Sequence, residues 1–227
     1  MTGVVDAPGT RDERRAVLGG LGAAKAAASA AQPPPAVVLL LHGGRAESHR
    51  PVRRGNLAAL RMVYFAKALR TECPLPRLTL RYRYRGWNNA AGTPPDALPA
   101  PVADTVEALA SIEQRLGSMP VILVGHSLGG RTAVRAAQYP TVRAVAALAP
   151  WLPDNEPVEP LRGRSVLIAH GRQDEVTSPD HSIEFARRSA EVTASTELEL
   201  LDDGHAMLRA AGAWHRLVGE FISRVAC

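Results

Sequence analysis

The chain reads as an α/β protein with a doubly wound, mostly parallel sheet flanked by helices, and three observations predict it. Past Pro33-Pro34-Pro35, short β-rich stretches alternate with longer amphipathic ones, the pattern of successive strand–helix–strand units. The first of these stretches is apolar without interruption, as in a strand covered on both faces. The length, 227 residues, suits one such domain.

The elements follow in order. Residues 36–42 form the first strand, and residues 56–70 a helix in which Leu57, Leu60, Val63, Tyr64 and Ala68 recur near helical spacing as its apolar stripe. Residues 78–85 alternate polar and apolar and end in Arg81-Tyr82-Arg83-Tyr84-Arg85, a strand that runs out of the protected core. Residues 86–101 are a loop. A helix over 104–116 carries Val106, Leu109, Ala110 and Ile112 as its core stripe, and 121–124 is a buried strand. A helix over 128–138 stops at Pro140; strands at 142–148 and 165–169, a helix over 179–192, a strand at 197–201 and a helix over 213–225 complete six strands. Residues 1–35 stand apart from this 36–227 domain as an Ala/Gly/Pro-rich N-terminal segment, with an Ala-rich helix expected within 14–31 and neither alternation nor a hairpin turn to mark a strand.

Composition excludes several classes. With 46 % hydrophobic and 22 % charged residues the chain is neither disordered nor collagen-like nor a disulfide scaffold. The longest apolar run, residues 36–41, is too short for a membrane span. Cys73 and Cys227 can build neither a CxxC redox site nor a zinc site, and free thiols suit a reducing, cytoplasmic setting. The alternative address is twin-arginine export, from Glu13-Arg14-Arg15-Ala16-Val17-Leu18 and the later Ala28-Ser29-Ala30; Lys25 and the glycines at 19, 20 and 22 dilute its apolar stretch. Net charge is uneven: residues 1–70 hold 11 basic against 4 acidic side chains, and the rest 16 against 18. No aromatic-and-basic reader motif accompanies the excess, so nucleic acid is not an expected partner. Nothing in the sequence indicates an oligomeric state.

Ligands of such a sheet belong at the C-terminal ends of its strands. There, Gly125-His126-Ser127-Leu128-Gly129 fits G-x-S-x-G between a strand and a helix, the context in which a serine hydroxyl stands clear of the backbone as a nucleophile. A bland reading makes Ser127 a helix cap on a glycine turn. The helix start also leaves the Leu128 amide free to bind a developing oxyanion. The second amide is expected from His42-Gly43-Gly44, with Gly44 the choice and Arg45 the neighbouring alternative.

A serine needs an imidazole to take its proton. His205, in the loop after the last strand, is the candidate base; His42, His126 and His170 fall inside strand-end motifs, and His49, His181 and His215 on loop or helix surfaces. The carboxylate that orients it is assigned to Asp174, with Asp202 and Asp203 as nearby rivals whose alternative role is turn formation. The chain order Ser127, Asp174, His205 is that of one hydrolase fold and not of either serine-protease order.

At these residues the chain resembles the α/β-hydrolase superfamily, specifically its small, cap-poor bacterial members similar to dienelactone-hydrolase-like and esterase-like proteins, over about residues 36–227. The resemblance implies Ser127 as nucleophile, Asp174 as acid, His205 as base, and Leu128 and Gly44 as oxyanion amides. Two departures stand out against that family pattern. The usual leading β-hairpin is not visible, and the connector at 151–163 is too short for a lid, so the site is expected to be open. Trp87 and Trp151, at strand ends beside the serine, either line a substrate pocket or pack the loops together. Arg45, Arg50, Arg53 and Arg54 either attract an anionic substrate or make a solvated basic loop. The activity expected is cofactor-independent cleavage of a small ester or thioester through an acyl-enzyme. The alternatives are an acyltransferase, cyclase or lyase using the same residues, or a binding protein that keeps only the fold.

Overall fold

A computed structural model describes residues 15–88 and 97–226. Its centre is a seven-stranded sheet ordered β1-β3-β2-β4-β5-β6-β7, comprising β1 Val17–Gly19, β2 Val37–Leu41, β3 Arg77–Arg81, β4 Val121–His126, β5 Val142–Leu148, β6 Ser165–Gly171 and β7 Ser195–Leu201. All pairings are parallel except that of β1 with β3.

Strand alternation divides the core into two layers. Val37, Leu39, Leu41, Val121 and Leu123 point to one face, where α1 Leu21–Ala28, α3 Ala100–Leu116, α4 Leu128–Ala136 and α5 Pro179–Ser189 cover them. Val38, Leu40, Ile122 and Val124 point to the other, under α2 Leu57–Glu72 and α6 Ala211–Val225. Burial on both sides explains the unbroken apolar run of β2.

The sequence-based expectation of six strands falls one short. Val17–Gly19 adds an antiparallel edge strand, with Val17, Leu18 and Gly19 opposite Arg81, Leu80 and Thr79. Three residues cannot display a period of two, and the pairing partner lies about 60 residues away in sequence, so no local signal announces it. The Ala-rich helix is α1, with Ala24 buried. The stripe assigned to α2 is also corrected. Leu57, Val63 and Tyr64 are exposed, and the buried set is Met62, Phe65, Ala66 and Leu69. Both sets recur at helical spacing; packing against α6 selects the second. In α3, Ala110 is exposed and the helix starts four residues earlier than expected, with Pro101 in its first turn.

Past Arg81 the expected strand gives way to single bridges, Pro51 with Tyr84 and Arg45 with Gly86, because the Arg83 amide turns to the Asp104 carboxylate at 2.7 Å. The 151–163 connector contains one 3-10 turn, Glu159–Leu161, and no lid helix among the described residues. Cys73 is buried and free; Glu13, Arg14 and Cys227, named in the sequence analysis, lie outside the described residues.

Candidate active site

The strand β4 ends at His126 and α4 begins at Leu128, leaving Ser127 alone to make the turn at φ 57, ψ −120. That conformation is costly for a non-glycine residue, of order 1–3 kcal/mol, and persists only where the surroundings enforce it. Here the Ser127 amide donates to Leu148 O at 2.9 Å, and its carbonyl accepts from the Gly130 and Trp151 amides at 2.9 and 3.2 Å. The flanking glycines are obligatory. A Cβ on Gly125 would stand 2.1 Å from Gly129 O, and one on Gly129 2.4 Å from Leu41 O.

The loop after β2 lies directly against this turn: a Cβ on Gly43 would meet Ser127 Cβ at 3.3 Å. His42 holds the loop in shape. Its Nδ1 donates to Gly43 O at 2.7 Å and its Nε2 accepts from the Tyr82 amide at 3.2 Å, an arrangement that requires the neutral ring. Burial, above all, pushes the His42 pKa down to about 4. The Arg45 amide is engaged by Arg85 O at 2.8 Å, whereas the Gly44 and Leu128 amides have no acceptor among the described residues.

On the opposite side, the loops after β6 and β7 bring Asp174 and His205 together. His205 Nδ1 donates to Asp174 Oδ2 at 2.8 Å. The same carboxylate accepts the Val176 and Thr177 amides at 2.8 and 2.9 Å, the Thr177 hydroxyl at 2.8 Å and His170 Nε2 at 3.1 Å. Burial pushes the Asp174 carboxyl up, but these bonds, led by the Thr177 amide and His205, outweigh it and hold the group below its usual range. Asp203 faces away from His205. It accepts the Gly204 and Ala210 amides and the Trp214 indole at 2.8, 3.0 and 3.0 Å, and so shapes the turn that carries His205. Asp202 is exposed beside Arg172, at 3.5 Å.

Three participants carry no role in the sequence motifs. His126 Nε2 donates to His205 O at 2.8 Å, and the two rings lie 4.8 Å apart, which ties the residue before Ser127 to the His205 loop. Burial first, then the neighbouring His205, pushes the His126 pKa down to about 3, so this ring is neutral. His170 backs Asp174 and receives a bond from Ser182 Oγ at 2.7 Å. Thr177 contributes both its amide and its hydroxyl. The spacing His170-Gly171-x-x-Asp174 was the available signal for His170.

The two tryptophans pack against a shared arginine. Trp87 is buried, and Arg131 lies over both rings, 4.1 Å from the Trp87 centroid and 4.6 Å from that of Trp151, while its Nε bonds Glu156 at 2.7 Å. Trp151 stays partly exposed. A cleft of about 330 Å³ lies beside the serine turn, lined by His42, Gly43, Gly44, Arg45, Asn56 and Arg85, among others, and neither tryptophan is in its lining. No cluster of three His, Cys, Asp or Glu side chains able to hold a metal occurs among the described residues, and no described helix is long and apolar enough to cross a membrane.

A family model described as "Alpha/beta hydrolase family" matches residues 38–223. No curated protein matches. Among solved structures, an esterase of Pyrococcus furiosus is similar at TM-score 0.65 and 16 % identity, over 86 % of this chain and 84 % of that one. Est1E of Butyrivibrio proteoclasticus, with ferulic acid bound, is similar at TM-score 0.62 and 16 % identity, over 93 % and 94 % of the two chains. An alpha-beta serine hydrolase homologue of Coxiella burnetii is similar at TM-score 0.62 and 18 % identity, over 83 % and 85 %.

Proposed function

This chain belongs to the alpha/beta hydrolase family, and on that premise we propose that it hydrolyses a small ester or thioester through an acyl-enzyme on Ser127. The observation that carries the reading is the 2.8 Å bond from His205 Nδ1 to Asp174 Oδ2. It fixes the tautomer that leaves His205 Nε2 free to accept a proton, on a loop tied to the serine turn through His126.

In this reaction His205 Nε2 takes the Ser127 hydroxyl proton as Oγ attacks the acyl carbon. The carbonyl oxygen becomes an oxyanion facing the Gly44 and Leu128 amides, whose lack of other acceptors among the described residues supports this role. The imidazolium, stabilised by Asp174, gives its proton to the departing alcohol or thiol. Water then enters and loses a proton to His205 as it attacks the acyl carbon; when the bond to Ser127 Oγ breaks, His205 returns that proton to Oγ and the acid departs, so every proton is accounted for by these residues. The open, arginine-lined cleft admits water, which favours hydrolysis over acyl transfer. The short 151–163 connector supports a preference for short or medium acyl groups, with Trp151 rather than the buried Trp87 left to touch them.

A fluorophosphonate probe tests the reading: covalent labelling of the wild type that is lost in Ser127→Ala is expected. A series of p-nitrophenyl esters should peak at short or medium chain length. A folded wild type that neither labels nor turns over any ester refutes the assignment, and fastest turnover of emulsified long-chain lipids refutes the chain-length preference.

A further inference from the structure

The cleft beside the serine turn carries positive charge without counter-charge. It starts at Gly43-Gly44, and its lining includes Arg45 and Arg85 but no Asp or Glu. Arg45 is exposed, and its side chain has no partner among the described residues. Arg85 spends Nε on Pro51 O at 3.3 Å and keeps both terminal amino groups unpaired among the described residues. Next to the lining residues Leu57 and Ala58, one helical turn further along α2, stands Arg61. It is half-buried and without a salt bridge among the described residues, and its charge reaches His126. Burial lowers its own pKa. Glu47, the one carboxylate in residues 41–71, is exposed and does not line the cleft.

Some arginines elsewhere do have a counter-charge. Arg83, Arg131, Arg187 and Arg224 each meet a carboxylate at 2.5–2.7 Å. Cations gathered around an opening without counter-charge repel one another, and an anion entering among them gains charge-assisted hydrogen bonds. The space, about 330 Å³, holds a short chain beyond a reacting carbonyl. Gly44 leaves no room of its own: a Cβ there would stand 2.4 Å from Arg85 O, so the glycine keeps the amide and the arginine wall in contact.

We propose that this cleft binds a carboxylate carried by the substrate at a short distance from its scissile ester, so that the preferred substrates are anionic esters. The inference rests on the serine-hydrolase reading and narrows its substrate class. The carboxylate can sit on either side of the ester. An acyl group ending in a carboxylate and an alcohol bearing one share the same recognition chemistry, and matched substrate pairs separate them.

The experiment compares each anionic ester with a neutral isostere at low ionic strength. Phenyl hemiglutarate against phenyl 5-methylhexanoate tests the acyl side, and 4-acetoxybenzoate against 4-isopropylphenyl acetate tests the alcohol side. Wild type should favour the anionic member of at least one pair by about tenfold or more in kcat/KM. Arg45→Gln and Arg85→Gln should each lower that anionic-to-neutral ratio about 10-fold, and Arg45→Glu, at an exposed side chain that the fold does not need, should invert it. Arg162→Gln removes the same charge from an exposed position ahead of β6 and should leave the ratio within twofold.

A wild-type preference for the neutral member of both pairs overturns the proposal. So does a ratio that survives the Arg45 variants, or one that falls equally in Arg162→Gln. If no ester is turned over and Ser127 does not label, the hydrolase reading has failed by itself, and glutarate binding by titration calorimetry decides the cleft. Saturable, salt-sensitive binding lost in Arg45→Glu upholds an anion site, and its absence removes it.

Discussion

The two walls of the site are built on opposite plans. On one, formed by the loops after β6 and β7, polar groups answer one another: Asp174 accepts five hydrogen bonds, and Asp203 accepts the Trp214 indole and the amides of the turn that carries His205. On the other, formed by the loops after β2 and β3 and the start of α2, Arg45, Arg61 and Arg85 have no carboxylate partner among the described residues. A wall whose bonds are already made is organised before a substrate arrives. A wall with unspent donors is organised for what the substrate brings. On the proposed reading, the difference separates chemistry, held on the saturated side, from selectivity, held on the unsaturated side.

The largest expected effects break the saturated wall. Asp174→Asn should lower kcat by about 10⁴-fold, the magnitude known for a serine protease that loses its orienting carboxylate and is left with the wrong histidine tautomer. Ser127→Ala and His205→Ala should fall to a common residual rate, since members of one catalytic unit are not additive. Steady-state kinetics on a p-nitrophenyl ester reads all three. Near-normal turnover in Asp174→Asn would move the acid elsewhere, and activity in Ser127→Ala would remove the nucleophile.

Next in size is the cost of keeping neutral imidazoles sealed under the site. His42 and His126 are protonated in the unfolded chain below the ordinary value of 6.5, but in the folded protein only near pH 4 and 3. Between those limits the unfolded state binds more protons. Stability is therefore complete above pH 6.5 and declines as pH falls toward 4, by roughly 2–3 kcal/mol per pH unit once both unfolded rings are charged. His170, also lowered by burial, acts in the same direction. Urea unfolding between about pH 7.5 and 4.5 measures the slope; a flat profile would show that these rings are not sealed.

The smallest effect sharpens the contrast within the saturated wall itself. Asp202 adjoins the buried Asp203, yet it is exposed and meets only Arg172 at 3.5 Å among the described residues. Asp202→Asn should change stability by less than about 0.5 kcal/mol and turnover by less than about twofold. A larger loss would mean that Asp202 takes part in orienting His205.

Much of this was legible from local pattern. Strand, turn and helix around Ser127 lie within about ten consecutive residues, and only glycine fits where a Cβ would stand 2.1 or 2.4 Å from backbone oxygen. The doubly wound sheet followed from unbroken apolar strands alternating with helices, because burial on two faces leaves no polar side to a strand. The α2 stripe and the β1 edge were misread because each depends on a partner remote in the chain: α6 for the first and β3 for the second.

By itself, then, the sequence determined the fold class and the serine turn, which rest on a periodicity that repeats along the chain and on interactions between near neighbours. Tertiary structure decided which aspartate meets His205. The parallel pairing of β6 with β7 sets the loops of Asp174 and His205 side by side, while Asp203, two residues from His205, turns back to the start of α6. It also decided that Trp87 packs on Arg131 and that Arg45 and Arg85 share a cleft. Which side chains meet across roughly 30 or 40 residues of intervening chain depends on register and packing, and a linear sequence carries no local mark of either.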